Sequence, residues 1–582
     1  MKTKKNLVQI WLLCCVMLPT VMQAQFQFTF NNDGSLNVYK YTGNGGAVTI
    51  PDTTNRLPVT SIGYQAFLVN FVYGNFTVTS VTIGTNVTSI GASAFQFCKA
   101  LTNVIVPSSV ITVGNDAFYG CSNLITISMG NGVASIGDGA FYNCQNLINF
   151  TVPNSVTSIG GGALYNCQNL ASITIPNGVT NIGAAAFQNC YSLTSVVIPN
   201  GITTIPHDVF NSCLFLTNIL IPSSVTNLGD YAFASCVWLS SVTIPDSVIA
   251  LGSDVFYDCD GVTNFVIGTG ITSIPTEAFC YCDSLTSVVI PNTVTSIGLD
   301  SFLSCASLTN VFIPQSVTNI GPCAFGMCYK LAALTVDGDN AFFSTVDGVL
   351  FDKIQATLVE YPSGKSGNHY TIPSGVTGIG TQAFTYCTAL TNVTIPDGVT
   401  NIGSAAFWWC TGLTNVTIGN HVANIGYEAF GYCNNLTSIT IPNSVTNIGA
   451  YAFEECTSLK SVFFRGNAPS VGDYAFYYDN QANIYYLPGT TGWTNSAYLG
   501  GITTIFWNPQ VQGGIGSFGV KTNRFGFNIA GTANIPVVVE ACTNMGGTWI
   551  PLQSMNLTNG LFYFSDPQWT NYHGRFYRLR SP

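Results

Sequence analysis

The cysteines of this chain recur at a fixed interval of 23 residues. Two runs share that step, and the second resumes it after one break: Cys98, Cys121, Cys144, Cys167, Cys190, Cys213, Cys236, Cys259, Cys282, Cys305 and Cys328, then Cys387, Cys410, Cys433 and Cys456. A period of this length is typical of a solenoid, in which each repeat forms one turn stacked on the next. The interval therefore predicts a repeat architecture, whose long exposed faces suit recognition better than catalysis in an enclosed pocket.

The other positions of the repeat keep the same phase as the cysteine. In the unit that ends at Cys410, the apolar positions are Leu390, Val393, Ile395, Val399, Ile402, Ala406 and Phe407. The alternation from Leu390 to Ile395 predicts a short strand, which Pro396 should end because proline donates no backbone hydrogen bond. We expect Gly403 to form a tight turn with positive φ, and the stretch from Gly403 to Cys410 to form about one helical turn.

The recurrent core Ile-Pro-x-x-Val-Thr-x-Ile-Gly-x-x-Ala-Phe resembles the BspA-like leucine-rich repeats, a family of bacterial and protozoan surface proteins. The resemblance covers the chain from about Ile62 to Phe476. It implies a leucine-rich-repeat solenoid, a right-handed rod with 23-residue turns and a parallel β-sheet face. For function, it implies adhesion or recognition at the cell surface through binding to host or matrix proteins and to other cells.

Two segments flank the regular array. Residues 25–60 predict an N-terminal cap, because Phe26, Phe28 and Phe30 alternate with polar residues before a turn and so suit a hairpin over the first open edge. The solenoid is expected over residues 61–509, with an irregular, hairpin-like insert at 337–372 and a C-terminal cap at 461–509.

Residues 510–582 predict a separate all-β module of five short strands. Asn559-Gly560 is a strong hairpin signal between two of them. The module resembles the small β-sandwich-like domains that close many secreted bacterial proteins. An export tag, an anchor and a carbohydrate-binding module all remain open as its role.

The N-terminus predicts a secretory signal peptide over residues 1–24. Lys2, Lys4 and Lys5 precede an apolar run from Ile10 to Leu18, and Ala24 provides a small residue for cleavage. The run is short for a membrane span, and no other segment is apolar enough, so no transmembrane span is expected in the mature chain. The predicted location is secreted or at the cell surface.

Export to an oxidising space raises the question of disulfides. Cysteines on stacked turns should point in parallel, which gives poor disulfide geometry. The favoured interpretation is a column of buried thiols that pack as small hydrophobic groups, with disulfides as the alternative. Zinc is not expected, because a ladder does not bring cysteines to one point.

Composition and motifs argue against several other functions. Charged residues make up 7% of the chain, the net charge is −10 and no basic stripe exists, so nucleic acid is a poor partner. The four histidines, His207, His369, His421 and His573, show no zinc-protease spacing. No nucleophile elbow or catalytic carboxylate pair stands out, so we predict no enzyme activity, no cofactor and no metal.

The most informative surface is the strand face. In Leu-x-x-Val-x-Ile, the residue between Val and Ile should point outward onto a concave sheet, and we call this position the outer column. Thr is its usual occupant, and the column also includes Phe463. Five of six consecutive members are apolar: Val197, Leu220, Val266, Val289 and Phe312. A contiguous exposed apolar patch predicts a site for an extracellular protein partner, although strand propensity alone is an alternative explanation.

Glycan binding is an alternative function, either on the terminal module or on the aromatic residues that precede the cysteines. Those residues are Tyr119, Tyr142, Tyr165, Tyr257, Tyr281, Tyr386, Trp408, Trp409 and Tyr432. Aromatic rows can stack on sugar rings, but they more commonly shield the turns of a solenoid. A purely structural role in the cell envelope is the third alternative.

Overall fold

The computed structural model describes residues 25–68, 77–487, 489–493, 502–507, 509–513, 518–521, 524–531, 536–545, 547–572 and 574–580. The predicted signal peptide lies outside these residues. The chain forms two compact units, Met1–Asp260 and Gly261–Pro582. Among the described residues, no helix is long and apolar enough to cross a bilayer.

The first unit is built almost entirely from short strands. They are β1 Phe26–Phe30, β2 Leu36–Tyr41, β3 Gly46–Thr49, β4 Thr53–Thr54, β5 Leu57–Ile62, β6 Val78–Thr82, β7 Ser89–Ile90, β8 Asn103–Val106, β9 Thr112–Val113, β10 Thr126–Met129, β11 Ser135–Ile136, β12 Asn149–Phe150, β13 Ser158–Ile159, β14 Ser172–Thr174, β15 Asn181–Ile182, β16 Ser195–Val197, β17 Thr204–Ile205, β18 Asn218–Leu220, β19 Asn227–Leu228, β20 Ser241–Thr243 and β21 Ala250–Leu251.

The second unit continues the same pattern and ends in longer strands. They are β22 Asn264–Val266, β23 Ser273–Ile274, β24 Ser287–Val289, β25 Ser296–Ile297, β26 Val311–Ile313, β27 Asn319–Ile320, β28 Leu334–Val336, β29 Phe343–Val346, β30 Val349–Asp352, β31 Thr357–Glu360, β32 His369–Thr371, β33 Gly378–Ile379, β34 Asn392–Thr394, β35 Asn401–Ile402, β36 Asn415–Thr417, β37 Asn424–Ile425, β38 Ser438–Ile441, β39 Asn447–Ile448, β40 Ser461–Phe464, β41 Ser470–Val471, β42 Asn483–Tyr486, β43 Thr503–Phe506, β44 Gln510–Gln512, β45 Phe518–Lys521, β46 Arg524–Ala530, β47 Pro536–Cys542, β48 Ile550–Asn556, β49 Leu561–Asp566 and β50 Phe576–Arg580. One 3-10 helix, Trp569–Asn571, precedes β50.

Each regular repeat contributes one strand to each of two parallel ladders. In the first ladder, β16 pairs with β18, and Val196 lies opposite Ile219. In the second ladder, β13 pairs with β15, and Ile159 lies opposite Ile182. Both pairs are 23 residues apart in sequence. The cysteine interval is therefore the register of the sheets, and the predicted solenoid is confirmed.

The segment from the repeat glycine to the cysteine is not helical, so that prediction was wrong. Alternate residues carry their N–H groups to the next turn: Ser93 donates to the Asn115 carbonyl at 2.8 Å, and Phe95 donates to the Ala117 carbonyl at 2.7 Å. Ser93 adopts a positive φ of 54°. Residues in the left-handed conformation turn the backbone N–H groups of this segment toward the next repeat. The segment therefore forms a third ladder of hydrogen bonds between turns, in place of hydrogen bonds within a helix.

The repeat glycine is required for close packing between turns and not, as predicted, for a positive φ. Gly403 does not adopt positive φ; the left-handed residue is Ala405, at 51°. A Cβ added to Gly403 would lie 2.6 Å from the backbone carbon of Gly380 in the preceding turn. The glycine is therefore needed because the backbones of adjacent turns pass too close for a side chain.

Aromatic rings and thiols fill the interior of the turns. In the first unit, Phe118 stacks between Phe95 and Phe141, with ring centroids 5.0 Å and 5.3 Å away. The Sγ of Cys121 donates to the carbonyl oxygen of Phe95 at 3.1 Å. Each such thiol thus packs as an apolar group while it supplies a hydrogen bond to a buried carbonyl of the preceding turn.

Antiparallel strands close the first unit and interrupt the second. At the N-terminus, β1 pairs with β2, which runs parallel to β5 and so joins the second ladder. Within the insert, β29 pairs antiparallel with β30, and β30 pairs antiparallel with β31. The strand β31 then pairs parallel with β33 and restores the second ladder.

The C-terminal region forms two antiparallel sheets. One contains β44, β45, β46 and β49, and the other contains β47, β48 and β50. The strands β44 and β45 precede those that the sequence predicts. The hairpin predicted at Asn559-Gly560 does not form, because β48 pairs with β47 whereas β49 pairs with β46. The buried Leu557 sits where the chain crosses from one sheet to the other.

Candidate binding surfaces on the repeat array

In the first unit, two apolar side chains of the outer column are exposed on successive turns, and Ile105 is exposed separately on β8. Leu220 is 75% exposed, whereas its neighbour Ile219 is 5% exposed, because successive residues of a strand point to opposite faces. Val197 is also exposed and lies directly opposite Leu220 in the pairing of β16 with β18. The two side chains therefore form one apolar surface on this unit.

The second unit has a similar surface. Val266 lies opposite Val289 in the pairing of β22 with β24. Phe312 follows on β26, and Asn310, just before that strand, forms a parallel bridge with Ser287 of the preceding turn. All three side chains are exposed, and Phe312 is 51% exposed. The three residues therefore form a row of apolar groups on successive turns.

A pair of exposed aromatic residues was missed in the sequence. In early turns, the position two residues after the cysteine holds an asparagine ladder, in which the Asn146 amide donates to Asn123 at 3.1 Å. Later turns of the same unit replace it with Phe215 and Trp238, whose rings stack at 6.3 Å and 21°. Trp238 is 61% exposed. The signal was available, because aromatic residues break a column that is otherwise small or polar.

Phe463 was expected to point outward onto the sheet face like the rest of its column, and there it is covered rather than open to solvent. It does occupy the outer column on β40, but it is only 6% exposed. The C-terminal sheets cover it: Phe463 and Tyr485 share a hydrophobic cluster with Phe527, Ile529 and other residues of those sheets. The terminal module is therefore packed directly on the strand face of the last turns.

The aromatic residues before the cysteines form two neighbouring columns rather than one. Tyr142 stacks between Tyr119 and Tyr165, with ring centroids 4.8 Å and 4.3 Å away. Burial, followed by the charge of Tyr165, raises the pKa of Tyr142 to about 12. The ring faces in this row contact each other, so they are not open to a sugar.

The cysteine column offers no reactive thiol. Cys121, Cys144 and Cys190 are fully buried. Burial raises the pKa of the Cys190 thiol to about 12, and it raises the pKa of Cys121 well above the usual value. A thiol held neutral and away from solvent is a poor nucleophile and a poor metal ligand.

A buried carboxyl group marks the return from the insert. Oε1 of Glu360 accepts the Phe325 backbone N–H at 2.9 Å. An ordinary turn uses a backbone carbonyl at that point, as when Phe302 donates to Ala324. Burial raises the pKa of Glu360 to about 8, so the carboxyl group is largely protonated at neutral pH and replaces a neutral acceptor.

The described histidines make local polar contacts. His207 Nδ1 lies 3.0 Å from Asp208, and His421 Nδ1 lies 2.9 Å from the Asp397 carbonyl. His573 lies outside the described residues. Within the part of the chain that the structure describes, no group of three or more His, Cys, Asp or Glu side chains could hold a metal ion.

Comparisons with solved structures return leucine-rich-repeat proteins. A leucine-rich cell surface protein from Faecalibacterium prausnitzii is 25% identical, with a TM-score of 0.37, and the match covers 83% of this chain and 96% of that one. A leucine-rich repeat protein from Bacteroides ovatus is 24% identical, with a TM-score of 0.39 and coverage of 83% and 98%. The pneumococcal vaccine antigen PcpA is 17% identical, with a TM-score of 0.31 and coverage of 84% and 98%.

The family comparison covers most of the array. No curated protein matches the chain. The model of the BspA type leucine rich repeat region matches in six overlapping copies, over residues 37–144, 60–194, 134–263, 203–332, 250–364 and 362–483. The chain therefore belongs to the BspA-type leucine-rich repeat family.

Proposed function

We propose that this protein is an exported, non-enzymatic recognition or adhesion protein, secreted or held at the cell surface. It binds extracellular protein partners through the outer column, at Val197 and Leu220 in one unit and at Val266, Val289 and Phe312 in the other. The observation that carries this proposal is the exposure of these side chains on strands whose alternate residues are buried. Exposed apolar rows of this kind are typical of protein contact surfaces.

The fold does not require apolar residues at this position. Thr243 and Thr417 occupy the outer column in strands that have the same length and the same burial pattern as the strand of Leu220. Threonine is as well suited to a strand as valine, and leucine is not β-branched, so strand propensity does not explain Leu220. A partner that buries these side chains would gain about 25 cal/mol for each Å² of apolar surface removed from water.

The test uses the mature chain to capture partners from a mixture of extracellular proteins, followed by titration of the identified partner. Leu220→Asp and Phe312→Asp should each weaken that complex by at least about tenfold, because they place a charge in an apolar contact. Thr417→Asp is the matched control in the same column. Unchanged affinity of both apolar-site variants, with normal thermal unfolding, would refute the proposal.

Binding of a neutral glycan is a second candidate, favoured by the exposed Phe215 and Trp238 rings. Their stacked pair presents flat apolar surface beside strands rich in Ser, Thr and Asn, a combination that suits sugar rings. A glycan array with the full chain tests it. Trp238→Ala should remove any signal, while Ile249→Ala, another exposed apolar residue of that unit, should leave it intact. Silence from the full chain would exclude this candidate.

A further inference from the structure

A second surface, in the second unit, combines exposed tyrosines with carboxylates. Tyr427, Tyr474 and Tyr478 are exposed, and Tyr474 is 57% exposed. They lie in the segments between the repeat glycine and the cysteine position, where three glutamates also occur. We call this surface the tyrosine–glutamate face and define it by Tyr427, Glu428, Glu454, Glu455, Tyr474 and Tyr478.

Rings and carboxylates alternate between adjacent turns of this face. The backbone N–H of Tyr432 donates to the Glu454 carbonyl at 2.7 Å, so a tyrosine and a glutamate are neighbours across the third ladder. The N–H of Glu455 likewise donates to the Tyr477 carbonyl at 2.9 Å. Tyr477 contacts Tyr474, with ring centroids 5.3 Å apart. The register therefore places Glu454 and Glu455 between two turns that carry tyrosines.

No basic residue lies in the three glycine-to-cysteine segments that form this face, and the two basic residues between Tyr427 and Tyr478, Lys460 and Arg465, flank β40. Residues 366–459 contain no lysine or arginine. Among the ion pairs of the described residues, none involves Glu428, Glu454 or Glu455. Burial, and to a lesser extent the charges of Glu428 and Glu455, raises the pKa of Glu454, so repulsion between like charges contributes to the shift. A bound cation would relieve that repulsion.

We infer that the tyrosine–glutamate face binds a lysine- or arginine-bearing segment of a partner polypeptide. A side-chain cation is attracted to the face of a tyrosine ring, and a nearby carboxylate accepts its hydrogen bonds. A bare metal ion would need converging oxygen ligands, and the described residues provide no such group. The inference does not depend on the outer column, so either surface could fail its test without the other.

The test measures binding of a fluorescent octalysine peptide to the full-length mature chain, with fully acetylated octalysine as the uncharged control. The octalysine should bind and the acetylated peptide should not, and binding should weaken as ionic strength rises. Glu454→Gln with Glu455→Gln should weaken binding by at least about tenfold. Glu277→Gln with Asp339→Asn changes the net charge equally at other sites and should leave the affinity within about twofold.

The contribution of the rings is tested at Tyr474. Tyr474→Ala should weaken binding by about two- to fivefold, whereas Tyr474→Phe should retain it, because the attraction needs the ring and not the hydroxyl group. Equal loss in the Glu454/Glu455 and Glu277/Asp339 double variants would show attraction to overall charge only and would overturn the inference. No binding of octalysine, or equal binding of its acetylated form, would also overturn it.

Discussion

The outer column of the second unit is covered at one end and open at the other. On β40, Phe463 is 6% exposed beneath the C-terminal sheets, while on β26 Phe312 is 51% exposed. Both are phenylalanines at the same position of the repeat. The difference is therefore not in the strands but in what packs on them, and the chain itself shows that this face can bind a β-sheet through aromatic and aliphatic contacts.

The largest effect on stability is expected from a charge placed at Phe463, beneath the C-terminal sheets. Phe463→Asp would bury a carboxylate among Tyr485, Phe527 and Ile529, and we expect it to destabilise the docked module by about 3–5 kcal/mol. Phe312→Asp should change the free energy of unfolding by no more than about 0.5 kcal/mol, because its side chain is in solvent. Hydrogen exchange of the β46 and β47 amides, with calorimetry, measures both. Equal effects of the two substitutions would contradict the difference in burial between Phe463 and Phe312.

A smaller loss is expected when the covered residues are replaced by the usual residue of the column. Phe463→Thr should cost about 2–4 kcal/mol, since it removes a buried ring and leaves a cavity at the interface. Chemical denaturation followed by tryptophan fluorescence suits this variant, because Trp507 belongs to the same cluster. A loss below about 0.5 kcal/mol would mean that the sheets do not depend on this contact.

Acid should destabilise the C-terminal sheets that pack on Phe463 but not the strands that carry the exposed part of the outer column. The Glu540 carboxylate, on β47, accepts hydrogen bonds from Arg578 at 2.7 Å and from Arg580 at 2.6 Å. Burial raises the pKa of this carboxyl group, but the hydrogen bonds and charges of the two arginines together lower it by more. The net pKa is therefore below the usual value. The associated stability is present above the unfolded pKa of about 4.5 and is lost as the pH falls through the lower folded pKa.

The acid effect is measured as hydrogen exchange in β46 to β50 between about pH 6 and pH 3, against exchange in the first ladder of the repeats. The quantity compared is the protection factor, the ratio of the intrinsic to the observed exchange rate, because intrinsic exchange itself slows as the pH falls. A decrease in protection factor at low pH should be confined to the C-terminal sheets. Glu540→Gln should reduce that pH dependence. A dependence of equal size in the variant would assign the effect to other carboxylates.

The smallest effect is expected on the open part of the column. Val289→Thr and Phe312→Thr restore the usual residue of the repeat and should leave the melting temperature within about 2 °C of the parent chain. Differential scanning calorimetry is the measurement. Strong destabilisation by Phe312→Thr would show that the residue supports the fold and is not reserved for a partner.

The solenoid could be predicted from the sequence because the 23-residue interval between cysteines is also the sequence separation between paired residues of adjacent strands. The exposure of Val197 and Phe312 also followed from strand alternation alone. The burial of Phe463 could not be predicted, since it depends on how a sequence-distant β-module packs on the repeats. The helical turn before Cys410 was a wrong prediction because hydrogen bonds to the neighbouring turns override the local preference of a short segment.

The missed Phe215 and Trp238 differ from these cases. Their departure from a small polar column is visible in the sequence, but only when every repeat position is compared rather than the strand face alone. The hairpin expected at Asn559-Gly560 failed for a tertiary reason, since Leu557 is buried in the cluster that also contains residues of both C-terminal sheets. Local turn chemistry specified a turn there but not which strands it would join.

Hydroxyl-radical footprinting of the mature chain, alone and bound to its extracellular partner, tests the central claim most directly. Phe312 and Leu220 should be oxidised readily in the isolated protein and protected in the complex, whereas Phe463 should be protected in both. Protection of Phe312 in the isolated protein, or its continued oxidation together with Leu220 in the complex, would contradict the account.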